Sequence, residues 1–373
     1  MIKSLFTYLG LAVLVIALPI IVWAYRTGRL EPPARSDQGV MMQVASDALT
    51  PPGVIPVTLG VYVEKIYNFT IQSQAFSSEG WVWLIWPQEF QDLLDAEKIP
   101  VEQSVNVLNM AQTSNFAFAP RDQSPIKLPD GRYYQAFSFY GTFSANGLDF
   151  RRFPFETLRF PLTFSLNPEF PALSADRVRL MPDRAESALG EFADLPGYSL
   201  IKHEILEFTY QFRTRFGLPV RQAIHEIQFS RVQMDVVYRT SVIAAALQLF
   251  LPLTVIMIIV LMTPNLAGSF WEVRIALPST ALLTLIFLQQ GYSSQLPPLP
   301  YLTFIDQVYT LCYAVALAIF SLFVWSSNKY DLAENADRPA VVERINRVDR
   351  FFQVGLTVGL VLFIALSWFF PVR

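Results

Sequence analysis

What most limits the fold of this chain is where its apolar residues lie. Four apolar stretches fill the C-terminal part, at about residues 241–262, 275–288, 304–325 and 351–370, and a fifth occupies 5–23. A bilayer core takes roughly 20 apolar helical residues to cross. The first, third and fourth C-terminal stretches and residues 5–23 reach that length. The second is shorter and runs into Gln289-Gln290-Gly291-Tyr292, a polar end that suits a helix lining water better than one facing lipid. Hydrophobic residues make up 53% and charged residues 16% of the chain. That is too apolar for a soluble protein, and the large polar segment between the apolar clusters does not fit a bundle of helices alone.

Lys3 precedes the first apolar run, and Arg26 and Arg29 follow it. Its position fits a signal anchor or a signal peptide; Trp23, where cleavage wants a small residue, favours the anchor. Either one exports the polar segment beyond it. Residues 26–56 carry Pro32-Pro33 and Pro51-Pro52-Gly53 and read as a linker. From residue 57 to 239 the texture changes. Residues 57–67, 81–86, 133–142 and 158–164 are rich in β-branched and aromatic side chains, and Asp130-Gly131 marks a turn. Two more strands are expected at 204–216 and 223–238, joined around Gly217-Leu218-Pro219. Closely spaced strands of this kind predict a β-sandwich, and the segment is long enough to bury its own core. Lys329, Arg338, Arg344, Arg347 and Arg350 precede the last helix, and only Arg373 follows it. The positive-inside rule then makes loop 326–350 cytoplasmic and, three helices back, puts the β domain outside the cell (inner) membrane. The expected fold class is membrane α+β: an N-terminal membrane segment (1–25), the linker (26–56), an extracytoplasmic β-sandwich (57–239) and a C-terminal four-helix transmembrane bundle (240–373).

Leu148-Asp149-Phe150-Arg151-Arg152-Phe153-Pro154-Phe155-Glu156 resembles the signature loop of pentameric ligand-gated ion channels, the Cys-loop receptor superfamily, in the cysteine-free form of bacterial members. Leu296-Pro297-Pro298-Leu299-Pro300-Tyr301-Leu302-Thr303 resembles that family's linker between its second and third pore helices. Gly60-Val61-Tyr62-Val63 with Trp86 resembles the first two sensor strands. The order also fits: sandwich, Arg239, a first helix containing Pro252, then the pore helix. The likeness runs from about residue 57 to the C-terminus. It implies a homopentamer whose second pore-domain helix lines an axial pore gated by a ligand in the sensor domain. It also implies three coupling elements: the loop with Asp149, Arg152, Pro154, Phe155 and Glu156; Arg239; and the linker with Pro297, Pro300 and Tyr301. Glu156 is the candidate partner of Arg239. The acid that family members often carry between the first two strands is replaced by Thr70-Ile71.

On a helix beginning near Glu272, steps of four and three give Ala276, Thr280, Leu283, Phe287 and Gln290 on the same face. In a pentamer Leu283 and Phe287 would form two apolar rings that stop ions by dewetting, and Glu272 a carboxylate ring that attracts monovalent cations. Arg274 would neutralise part of that field. Pro278 is awkward inside such a helix: either the helix starts later or it kinks there. Pro252 is the simpler case, since membrane helices tolerate proline.

Tyr210, Phe212 and Phe216 lie where the family places aromatic ligand-binding residues, and an aromatic box holds cationic amines. Alternating aromatics on a strand also make ordinary core. The tryptophan-proline pattern of a middle loop is missing, since 115–120 reads Asn-Phe-Ala-Phe-Ala-Pro. The agonist is therefore a small molecule or the proton, the latter sensed by His203, Glu204, Glu207, His225 or Glu226. His203 and Glu207 share a strand face but are too few for a closed metal shell. Cys312 is the one cysteine and the net charge is −3, so no metal, cofactor or nucleic acid is expected. No phosphate loop, nucleophile elbow or zinc-protease motif speaks for an enzyme, and no internal repeat speaks for a transporter. The alternative is a non-conducting membrane receptor on the same scaffold. The expected partners are four further copies of the chain, membrane lipid, the agonist and the permeating cations.

Overall fold

The computed structural model describes residues 39–45, 48–145, 147–212, 228–267 and 269–369. They fall into two compact units. One holds the described residues up to Leu148 together with Thr157–Thr240; the other holds Asp149–Glu156 and the chain from Ser241 onward. The apolar run 5–23, the start of the linker and the turn at 217–219 lie outside the described residues.

The first unit is built of strands. In chain order these are β1 (Gly39–Gln43), β2 (Ile55–Thr70), β3 (Ala75–Trp86), β4 (Val105–Val107), β5 (Met110–Pro120) and β6 (Ile126–Lys127), then β7 (Tyr133–Ser144), β8 (Thr157–Leu166), β9 (Val178–Pro182), β10 (Ala188–Phe192), β11 (Tyr198–Phe212) and β12 (Gln228–Thr240). One sheet runs β1-β11-β12-β8-β4. The other runs β10-β2-β3-β7-β5, with β6 on β7 and β9 on β2. The strict alternation of β3, where every second residue is buried, is the period of a pleated strand with one face on a core. Phenylalanines from both sheets fill the space between them. Phe76 of β3 stacks on Phe160 of β8 at 4.7 Å between ring centroids, and Phe139 of β7 meets Phe164 edge-on at 6.2 Å. Gly60 of β2 is required because a Cβ there would come within 2.1 Å of the Trp83 indole on β3. The turn at Asp130-Gly131 is present, with Gly131 at φ 88° and the Asp130 carboxylate accepting from the Arg132 N–H at 3.1 Å.

Two features depart from the sequence expectation. The segment 26–56 is not all connector: β1 adds an edge strand to β11, with Met41 opposite Tyr210. A short helix, α1 (Gln88–Glu97), follows β3 and buries Phe90 and Leu94, four residues apart.

The second unit carries α2 (Val242–Met262), α3 (Trp271–Ser293), α4 (Phe304–Asp331) and α5 (Arg338–Phe369). All four are long and apolar enough to cross a membrane, so the architecture is that of an α+β membrane protein, a sandwich-like β region followed by four apolar helices. Thr303 and Asp306 form a capping box at the start of α4. Helices α3 and α5 reach well beyond their apolar cores, because charged and amide residues continue the helix where hydropathy alone stops. The expected loop 326–350 shrinks to residues 332–337, and Arg344, Arg347 and Arg350 lie on the first turns of α5. Arg347 there pairs with Glu343 one turn back at 3.3 Å.

Candidate functional site

Helix α3 begins at Trp271 and runs unbroken through Pro278. Proline removes one backbone donor, and the Ser279 hydroxyl beside it donates to the carbonyls of Ile275 and Ala276 at 3.0 and 2.9 Å. Pro278 belongs to the buried row Arg274, Pro278, Ala281, Leu285 and Tyr292, which faces the bundle. Glu272, Ala276, Thr280, Leu283, Phe287 and Gln290 are all exposed in the single chain, with Leu283 at 54% and Phe287 at 66%. The 4-3 spacing therefore separates two rows, one packed and one uncovered. Val273 and Ile286 beside the uncovered row are exposed as well, so the open face is wider than one line of side chains. At the C-terminal end the polar run divides. Gln289 accepts from the Tyr313 hydroxyl at 2.7 Å and Tyr292 donates to Asp306 at 2.5 Å, both on α4, while Gln290 points away.

Arg274 lies two residues from Glu272, which is about 200° around a helix. It does not join the open face. It is 1% exposed and bonds Asp349 of α5, equally buried, with its guanidinium 4.3 Å from the centre of the Phe323 ring. The sequence reading has Arg274 neutralising part of the Glu272 field; the structure places that charge off the open row and against Asp349.

The loop Asp149–Glu156 folds with the helices. Phe155 stacks on Phe250 of α2 at 5.9 Å and meets Phe304 of α4 at 6.4 Å. Phe153 packs on Tyr292 of α3 at 6.5 Å. The Phe304 N–H donates to the Arg151 carbonyl at 2.8 Å. The Phe150 N–H donates to the Tyr301 hydroxyl at 3.2 Å, and the Arg151 guanidinium lies 4.9 Å from the Tyr301 ring centre. Phe155 thus packs on α2 and α4 and Tyr301 bonds the loop, with Phe150, Arg151 and Phe153 making further contacts. Pro154 is buried and follows a cis peptide bond. Arg152 and Pro300 are exposed, Pro297 is half-buried, and Asp149 turns back on its own loop to accept from the Arg151 N–H at 2.9 Å. Glu156 is buried. Arg239, exposed near the end of β12, lies opposite Thr157 in register.

In the β unit, Tyr210 and Phe212 meet edge-on at 4.8 Å. The cation they face belongs to the chain itself. The Arg231 guanidinium lies 3.6 Å from the Tyr210 ring centre and 5.9 Å from that of Phe212. Burial lowers its pKa to about 10, so it stays charged at neutral pH. Glu207 is held by Arg179 through bonds of 2.6 and 3.1 Å, and both line a cavity of about 190 Å³. Arg179 also donates to the Ala48 carbonyl at 2.9 Å, pinning the segment after β1. The Glu207 carboxylate is therefore already engaged by an arginine. His203 is exposed and Glu204 pairs with Lys202 at 2.7 Å. Phe216, His225 and Glu226 lie outside the described residues. No protein-family model matches the chain, and a search of curated proteins finds no match.

Proposed function

We propose that this chain is one subunit of a cation-selective, homopentameric ligand-gated ion channel. Helix α3 lines the axial pore, and the β unit senses a small molecule or protons on the extracytoplasmic side. The observation that carries the reading is the division of α3. The row Glu272, Ala276, Thr280, Leu283, Phe287 and Gln290 is left uncovered while the opposite row packs on the bundle. Lipid would satisfy bare Leu283 and Phe287 as it would the bare apolar residues of α2 and α5, but Thr280 and Gln290 in the same exposed row suit water instead. Around a five-fold axis the same row becomes polar rings flanking two apolar ones, a constriction that dewets when narrow and conducts when widened. Glu272 supplies a ring of carboxylates at one mouth, which concentrates cations.

Coupling runs through the loop at 149–156. Its aromatic side chains touch α2, α3 and α4, so a rearrangement of the loop is transmitted to the helices by packing rather than through a flexible tether. The positive charges on the first turns of α5 favour a cytoplasmic position for that end. The cytoplasmic segment is then the short connection 332–337.

The test is Leu283→Ser, recorded beside the parent in cells or planar bilayers with asymmetric NaCl. A polar ring wets the constriction, so the variant is expected to pass a standing current that the parent lacks, reversing toward the sodium potential. Reversal toward the chloride potential would keep the pore and remove Glu272 as its filter. Folded variant protein at the surface with no current would favour a non-conducting receptor.

A further inference from the structure

We infer that Asp349 of α5, outside the pore-lining row, sets the charge selectivity of the pore mouth by cancelling Arg274. The inference rests on the channel reading above and adds a selectivity determinant outside the pore-lining row.

The geometry is that of a buried counter-ion pair. Arg274 is in the first turn of α3, next but one to Glu272. Its Nη2 donates to one oxygen of Asp349, and both side chains are 1% exposed. The bond is single. Among the described residues, Nε and Nη1 of Arg274 and the second carboxylate oxygen of Asp349 have no hydrogen-bond partner. An arginine that forks two bonds onto a carboxylate gains both energy and fixed geometry. A buried pair joined by one bond recovers little of what its desolvation costs. Stability is thus a weak reason for this pair, whereas its effect on nearby charge is large.

Glu272, Arg274 and Asp349 together carry one net negative charge per subunit. Arg274 sits in a low-dielectric surrounding, where an uncompensated charge acts on its neighbours with little screening. With Asp349 in place the arginine is neutralised, and the Glu272 ring acts undiminished on ions in the mouth. Without the Asp349 charge the local sum per subunit falls to zero, although the pore-lining row is untouched. Without the Arg274 charge it becomes more negative. A purely structural pair makes no such distinction, since loss of either partner leaves the other stranded.

The experiment places Asp349→Asn, Arg274→Gln and the two together on the Leu283→Ser background, and reads the sodium-to-chloride permeability ratio from the reversal potential. Asp349→Asn is expected to lower the ratio on the order of fivefold, Arg274→Gln to raise it, and the double variant to return it to the background value. A lowered ratio in Asp349→Asn with a raised one in Arg274→Gln supports the inference, and the reverse pair of shifts overturns it. Shifts of the same sign, or none, in variants that conduct would overturn it and leave the channel reading intact. If the background itself passes no current, both fall together. Should Asp349→Asn fail to reach the surface, Arg274→Gln decides alone: a raised ratio supports the inference and an unchanged or lowered one refutes it.

Discussion

The two units of this protein bury their apolar residues in opposite ways. In the β unit the large side chains are enclosed by their own chain: Phe76, Phe137, Phe143, Phe160 and Phe164 are fully buried. In the helical unit three of the four apolar windows are mostly uncovered. Half of the most apolar window of α4 is buried, but only 17% of that of α2, 22% of that of α3 and 6% of that of α5. The β unit encloses its core with its own strands. The helical unit is finished only by its surroundings, since lipid tails are as apolar as a protein interior and leave no hydrophobic penalty to avoid. The difference also says where function has room to act. A closed core transmits strain, whereas an open helical face can exchange neighbours, lipid or a second copy, without breaking its own fold.

The sharpest way to break this comparison is at Leu162 of β8, which is fully buried and lies opposite Met234 in register. Leu162→Ala is expected to cost about 4 kcal/mol, the transfer loss plus an unfilled cavity. The cost is read from the midpoint shift of the full-length, detergent-purified protein in a urea titration. A loss below about 1 kcal/mol would mean that the sheets can collapse onto the gap, and that the β unit is looser than its burial implies.

Next in size is Glu207→Gln. It leaves the Arg179 guanidinium, itself 10% exposed, without a counter-charge in the interior. Breaking one side of a buried pair costs about 3 kcal/mol. Because Arg179 also bonds the segment after β1, the loss should appear first as faster proteolysis between residues 39 and 56. A drop in the midpoint with no change in cleavage would separate the pair from the edge strand.

Much of the first unit was legible because β-branched and aromatic residues cluster in it. β2, β3, β7 and β8 contain the strands expected from that content, and β11 and β12 cover 204–212 and 228–238 of theirs, the remainder lying outside the described residues. β1, β4, β6, β9 and β10 were not read, since each is short and owes its place to a neighbouring strand rather than to its own pattern, and β5 was not read either. In the second unit, apolar length located the helices but not their ends. The Trp271-Glu272-Val273-Arg274 turn and the first turns of α5 are charged, and charge is compatible with both loop and helix. The open row of α3 was legible, because a 4-3 spacing fixes a face whatever the partners are. The burial of Arg274, offset from that row by two residues, was not read. Nor was its partner, for Asp349 is 75 residues away and sits among arginines that read as a solvated loop. The same holds for Arg231 against Tyr210: alternation put the aromatic rings side by side, and only the pairing of β11 with β12 supplied the cation.

The smallest expected effect comes from repeating the leucine truncation in the other unit. Leu362 of α5 is 57% exposed, and Leu362→Ala removes the same atoms as Leu162→Ala. In the membrane those atoms leave one apolar surrounding for another, so the loss should stay below about 0.5 kcal/mol in the same titration. The matched pair makes the test strict, because side-chain chemistry and helix propensity differ little between leucine and alanine and only the surroundings change. A cost at Leu362 approaching that at Leu162 would show this face of α5 packed against protein. The cover would then be a second copy of the chain, and subunit concentration should restore the midpoint by mass action. Insensitivity to concentration, with the small cost, would leave lipid as the neighbour of α5 and reserve the contacts between copies for α2 and α3.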